Sequence, residues 1–174
     1  MRFINESISP HTIMIMQDKD LFTYLPSDNP KVPAAEFPFR HHQPVQMRFT
    51  DIDMLGHLNN NVYLTFMDLA KVEYFAAVLP EGMDWRSINA VVVHIACDFY
   101  APSYFNESLE VWTTVTSVST HSFKMEQRIV NSVTGQTKCV GHTVMAGFDP
   151  KTATGRAIDR TWVAAVEAYE QRSL

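Results

Sequence analysis

Between Asn61 and Leu79 the chain runs nineteen residues without a glycine or proline, and Pro80 ends the run. Only Asp68, Lys71 and Glu73 are charged within it. A breaker-free stretch of that length, closed by proline, predicts a helix over 61–79. At 100° per residue its apolar side chains cover nearly the whole circumference. A helix of that kind has no wet face to turn outward and must be buried on most sides. Whatever the rest of the chain forms has to wrap it.

The wrapping material follows. Asn89 to Phe99 (NAVVVHIACDF) is a β-branched run with little alternation, which predicts a strand covered on both faces. Leu109–Ser119, Ser122–Asn131 and Gln136–Phe148 predict three further strands joined by short turns at STHS and SVTGQ. Gly135 can supply the positive φ that the second turn needs. Upstream, Val45 to Asp51 alternates Val45, Met47 and Phe49 with polar residues, the pattern of a half-buried strand. DPKTATGR reads as a polar loop, and RTWVAAVEAYEQ as a short amphipathic C-terminal helix. Six of the nine prolines fall within residues 1–44. This head is expected to be an irregular arm with at most a short strand or turn near residues 11–16. The division is therefore an arm over 1–44 and one domain over 45–174. Its fold class is α+β, an antiparallel five-stranded sheet curled around one long buried helix.

Composition narrows the function. A net charge of −5 gives no basic footprint for nucleic acid, and the one basic-looking cluster, Arg40-His41-His42, has a single fixed charge. Cys97 and Cys139 lack zinc-site spacing and are expected to be free thiols in a reducing compartment. No run approaches a membrane span, and the apolar tetrad Ile13–Met16 is too short for a signal-peptide core. The expected localisation is cytoplasmic.

The chemistry is concentrated in Arg48–Asp68, RFTDIDMLGHLNNNVYLTFMD, which packs two aspartates, a histidine and three consecutive asparagines just ahead of the helix. Strand, D-x-D-x-x-G-H-x-N-N, tyrosine, buried helix and a meander resemble the hot-dog fold thioesterases, in particular the 4-hydroxybenzoyl-CoA and acyl-CoA thioesterase group. The matching residues are Asp51, Asp53, Gly56, His57, Asn59, Asn60 and Tyr63. Phe99–Val111 (FYAPSYFNESLEV) resembles a second family segment, with Asn106 where glycine is common. The resemblance covers roughly residues 45–150.

It implies hydrolysis of an acyl-CoA or acyl-carrier thioester, with the catalytic carboxylate at Asp53 and an oxyanion-binding backbone amide at Asn60. It also implies subunits joined sheet edge to sheet edge, with the acyl site between one subunit's helix start and its neighbour's strands. A homodimer, or a dimer of dimers, is therefore expected. No metal or redox cofactor is expected, coenzyme A being part of the substrate. The local physics permits these roles. A carboxylate after a strand can activate water or attack directly, and a helix N-terminus offers unpaired N–H groups and a positive dipole end. Gly56 lets the backbone approach a ligand. His57, Asn59, Asn61 and Tyr63 can orient the carboxylate or bind polar parts of the substrate. Ser122 and Lys124, with His121, can touch a nucleotide phosphate.

Each residue also has a plainer reading. Any of the three asparagines can be simply an N-cap. Asp51 reads as an exposed or turn-stabilising acid, and His57 as a loop histidine bonded to backbone. Asp68 can pair with Lys71, but the resemblance also implies that a helix carboxylate serves in some members, which keeps Asp68 and Glu73 as reserve catalytic acids. His94 reads as a core or interface histidine. Three rival functions stand beside hydrolysis: an aspartyl-phosphate phosphatase using DIDMLG, an enoyl-thioester hydratase, and a non-catalytic acyl-thioester binder. The meander after the motif argues against the first, because that chemistry normally continues into alternating β and α units. The hydratase signature resembles D-x-N-P-x-H, which is absent.

Overall fold

The computed structural model describes residues 29–79 and 88–174, so the turn or strand expected near 11–16, and Pro80, lie outside the described residues. In chain order the elements are β1 (His41–Val45), α1 (Asn60–Val78), β2 (Ala90–Phe99), β3 (Leu109–Val118), β4 (Ser122–Asn131), β5 (Thr137–Asp149), the two-residue β6 (Thr154–Gly155) and α2 (Arg160–Glu170). The five main strands form one antiparallel sheet in the order β1-β3-β4-β5-β2, with β6 paired to β5. The β3-β4-β5 meander is as expected, and Gly135 turns its second hairpin at φ +72°.

The helix lies across the inner face of this sheet. Its N-terminal half packs Tyr63, Phe66, Met67 and Ala70 on Leu109, Val111, Ile129 and Cys139. Its C-terminal half packs Tyr74, Phe75 and Val78 on Val115, Phe123, Met125 and Met145. There α2 closes the core with Trp162, Val163 and Val166. Asp159 caps α2, its carboxylate accepting from the Thr161 and Trp162 amides. At the other end the buried Glu170 accepts from the Tyr74 hydroxyl at 2.7 Å and from the Val115 amide at 3.3 Å. Burial, with Glu170 alongside, pushes the Tyr74 hydroxyl far up, so it stays protonated and remains the donor.

Two expectations need correction. The first strand is His41–Val45, not Val45–Asp51, and it crosses the 44/45 division drawn from the prolines. Pro44 is tolerated because β1 is an edge strand. Beyond it, Phe49–Asp51 winds into a 3₁₀ turn. The Asp51 carboxylate accepts the Arg48 amide at 2.8 Å there, and local capping overrides the alternation. Met47 is buried as the pattern required, but Phe49 is 84% exposed. The second correction concerns β2. Among the described residues it is an edge strand paired only with β5, and Val91, Val92, Val93, Ile95 and Phe99 are 38–58% exposed. On α1, Leu69 and Val72 are exposed as well. An unbroken apolar run signals burial, and among the described residues of one chain nothing buries this one.

On the outer face of the sheet, Phe39 and Ala35 pack against Trp112 and Val130, and His42 stacks on Trp112 with centroids 4.4 Å apart. Phe39 and Ala35 of the arm thus lie on the side of the sheet away from α1, whereas His41 turns inward onto Tyr74 of α1 at 5.6 Å. Beneath Phe39 runs a buried Arg128–Glu126 ion pair of 2.7 Å.

Candidate active site

Residues 51–59 form a miniature hairpin that ends at the helix. The Asn59 amide donates to the Asp51 carbonyl, Ile52 bridges Leu58, and the Asp53 amide donates to the His57 carbonyl. The tip is closed at Gly56, whose φ of +79° is the left-handed region that disfavours side chains. Asp53 sits at that tip. Its Oδ1 accepts from the amides of Leu55 (2.8 Å) and His57 (3.0 Å), and both hydrogen bonds described at this carboxylate use that oxygen. One oxygen is therefore pinned, and Oδ2 is left for chemistry.

The helix start sorts the asparagines. Asn59 is the N-cap: its Oδ1 accepts from the Asn61 amide at 3.1 Å, and its carbonyl accepts from the Val62 amide at 2.9 Å. Asn60 is the first helical residue, exposed, and among the described residues its N–H has no acceptor. The cap spends the donors on the far side of Asn60 and leaves this one aimed outward at the positive end of the helix. The side chains of Asn60 and Asn61 are exposed there too. Asn60 lies only three positions beyond His57, which faces Asp53, a span of no more than about 10 Å of chain. Carboxylate and free amide thus belong to one small rigid unit.

The remaining candidates fall as follows. Asp51 is turn-stabilising and buried, carboxylate on the Arg48 amide. His57 reaches Asp53 through its backbone, while its ring lies edge-to-face on Tyr104 at 5.3 Å. Tyr63 was expected to bind substrate; it is buried instead, and its hydroxyl donates to Ser103 Oγ (2.9 Å) and accepts the Ser103 amide (3.1 Å). Asp68 pairs with Lys71 at 2.7 Å. His94 is exposed on β2, so the core reading is lost.

Ser122 and Lys124 lie at the opposite end of the protomer from Asp53. Phe123 between them packs on Phe75, near the C-terminus of a helix about 28 Å long. Among the described residues, no group of three His, Cys, Asp or Glu side chains is placed to hold a metal ion.

Three residues of this region were not singled out in the sequence: Ser103, Glu107 and Lys138. Lys138 is buried and donates to Glu107 Oε1 (2.7 Å) and to the Pro102 carbonyl (2.9 Å). A lysine inside the apolar run TKCV was the available signal.

Comparison with known proteins agrees with this architecture. The family model described as the thioesterase-like superfamily matches residues 47–167. The acyl-CoA thioester hydrolase YbgC of Escherichia coli is 28% identical over 91 residues, 51% of this chain and 68% of YbgC. A thioesterase from Thermus thermophilus, solved with coenzyme A and Zn, superposes with a TM-score of 0.70 at 26% identity, over 78% of this chain and 98% of its own. An Asp-to-Asn mutant of 4-hydroxybenzoyl-CoA thioesterase bound to 4-hydroxybenzoyl-CoA superposes with a TM-score of 0.63 over 72% and 96% of the two chains. At 15% identity that likeness speaks to the fold alone. The fold is the hot-dog fold, and with a match spanning most of its length the chain belongs to the thioesterase-like superfamily.

Proposed function

We propose that the protein is an acyl-CoA thioester hydrolase in which Asp53 drives the attack and the Asn60 N–H binds the oxyanion. The observation that carries this reading is the unspent Asn60 amide, one short hairpin strand away from a carboxylate that keeps one oxygen free. A thioester carbonyl at the helix start accepts from that amide. Negative charge developing on the oxygen is stabilised by the N–H and the helix dipole, which are already oriented. Asp53 Oδ2 then either takes the proton of an attacking water, the tetrahedral adduct collapsing with C–S cleavage to acid and thiol, or attacks the carbonyl itself, expelling the thiolate and forming an anhydride that water opens to the acid and free Asp53. His57 contributes its backbone amide, which holds Oδ1. The proposal needs neither a metal nor a redox cofactor.

The functional unit in this reading is a homodimer, alone or doubled into a tetramer. Two β2 edges joined antiparallel about a two-fold axis would bury the exposed valines and Ile95 and continue the sheet across both subunits. The same operation reverses the strand direction. It carries the partner's Ser122 and Lys124 from the far end of their own protomer to the end where Asp53 stands, within reach of a nucleotide phosphate. No helix among the described residues is long and apolar enough to cross a membrane. With two free cysteines we place the enzyme in the cytoplasm.

A panel of aromatic and aliphatic acyl-CoAs and one acyl-carrier thioester, assayed for released thiol, tests this reading with Asp53→Asn as control. The asparagine carbonyl can keep both amide hydrogen bonds, so the fold is retained. The expected loss in kcat is at least about 100-fold. An Asp53→Asn enzyme that matches wild type on the best substrate sinks the assignment.

A further inference from the structure

The helix start that presents the Asn60 donor is bracketed by a single residue on another segment. Ser103, fully buried in the loop after β2, commits every polar group it has to the two sides of Asn60. Its carbonyl accepts the Leu58 amide at 2.8 Å, two residues before Asn60. Its Oγ accepts from the Tyr63 hydroxyl, and its own amide donates back to that hydroxyl, three residues after Asn60.

The loop is in turn tied down on both sides of Ser103. Lys138 Nζ holds the Pro102 carbonyl and Glu107 Oε1, and Glu107 Oε2 accepts the Tyr104 amide at 3.0 Å. Tyr104 also bridges His57, the residue whose amide pins Asp53.

From this arrangement we infer that Ser103 is a positioning residue for the oxyanion donor, fixing where the Asn60 N–H points. The first turn of a helix has no upstream turn to hold its amides, so its orientation must be imposed from outside. A donor in an oxyanion site is effective only when it is aimed in advance at the position the charged oxygen will take. Ser103 meets that need from both directions, in a place where no water competes for its bonds. It is not a catalytic residue, since nothing places it against the reacting atoms.

The inference rests on the hydrolase reading for its chemistry but can be tested apart from it. The probe is a ketone analogue of an acyl-CoA, with CH₂ in place of the thioester sulfur and ¹³C in the carbonyl, bound to the full chain. Isotope-edited infrared spectroscopy reads the polarisation of that carbonyl directly. Wild type is expected to lower its stretch relative to water, and Ser103→Ala and Tyr63→Phe to return it toward the free value. In turnover assays both variants are expected to lose about tenfold in kcat, with KM within about twofold. Because both act through one hydrogen-bonded pair, the double variant should be no worse than the poorer single.

A role confined to holding the loop would lower the melting temperature and leave the stretch unmoved; that result overturns the inference. A wild-type stretch already at the free value overturns it too. If no acyl-CoA is turned over but the stretch still shifts in a Ser103-dependent way, the hydrolase reading falls and the positioning stands. If turnover is strong and the stretch is indifferent to Ser103, the reverse holds.

Discussion

The ion pair behind the site makes an asymmetric demand on its two members. Lys138 is 2% exposed at its side chain and Glu107 21%. Glu107→Gln leaves a buried ammonium without its counter-charge, and the single amide oxygen of glutamine cannot serve both Lys138 Nζ and the Tyr104 amide. Breaking a buried pair from that side costs about 3–5 kcal/mol. Lys138→Met removes the buried charge itself and leaves a carboxylate that reaches water and keeps the Tyr104 amide. That costs about 1–2 kcal/mol, the scale of one charged hydrogen bond.

At roughly 2–4 °C per kcal/mol for a domain of this size, the melting temperature should fall about 6–20 °C in Glu107→Gln and about 2–8 °C in Lys138→Met. Urea unfolding followed by tryptophan fluorescence, with both variants beside wild type, provides the comparison. If Lys138→Met proves as damaging as Glu107→Gln, the burial argument is wrong.

Other outcomes follow from the same structure. Ile95→Lys puts a charge on the exposed edge strand and should shift the proposed dimer to monomer, with the proposed activity lost in step; light scattering after gel filtration, read beside thiol release, decides it. Gly56→Ala meets no atom within 4 Å of the added Cβ, so its cost is conformational, about 1–2 kcal/mol from the φ of +79°. It should lower kcat as well, through the hairpin that carries Asp53. His41 is lowered to about 4, chiefly by burial and secondarily by His42. The folded state then binds fewer protons than the unfolded one, so stability is present above pH 6.5 and lost as pH falls toward 4. In His41→Gln the acid slope of the urea midpoint over that window should flatten, and an unchanged slope refutes the assignment.

What could be read from sequence depended on how local the cause was. The helix over 60–78 was legible within one residue at each end, because length, breakers and an all-round apolar face act within the segment itself. The meander was legible for the same reason. Asp53, Gly56 and the capping asparagines were legible as a group, since a turn, a cap and a helix start lie within ten residues. Which asparagine capped was not, because all three have equal propensity and only geometry spends one of them. The first strand was misplaced because a single carboxylate, Asp51, competes with an alternating pattern and wins. Tyr63, Ser103 and Lys138 depend on contacts 31 to 40 residues apart in the chain, and no spacing announces those. The exposure of β2 was hidden because an apolar run does not say which chain will cover it.

The two rims of the sheet are unlike in a way that bears on how many chains can join. One rim, β2, carries ten residues of extended backbone with apolar side chains. The other, β1, is five residues long and includes Pro44, which has no N–H to offer a newcomer. A chain with one adhesive rim and one blunt rim has a valence of one. In the homodimer we propose, two such chains would consume each other's capacity, and the joined sheet would end in proline-bearing strands at both extremities. Growth by strand addition would stop at two copies, so a sequence with this much exposed valine would form a finite assembly where a fibre would otherwise be the hazard.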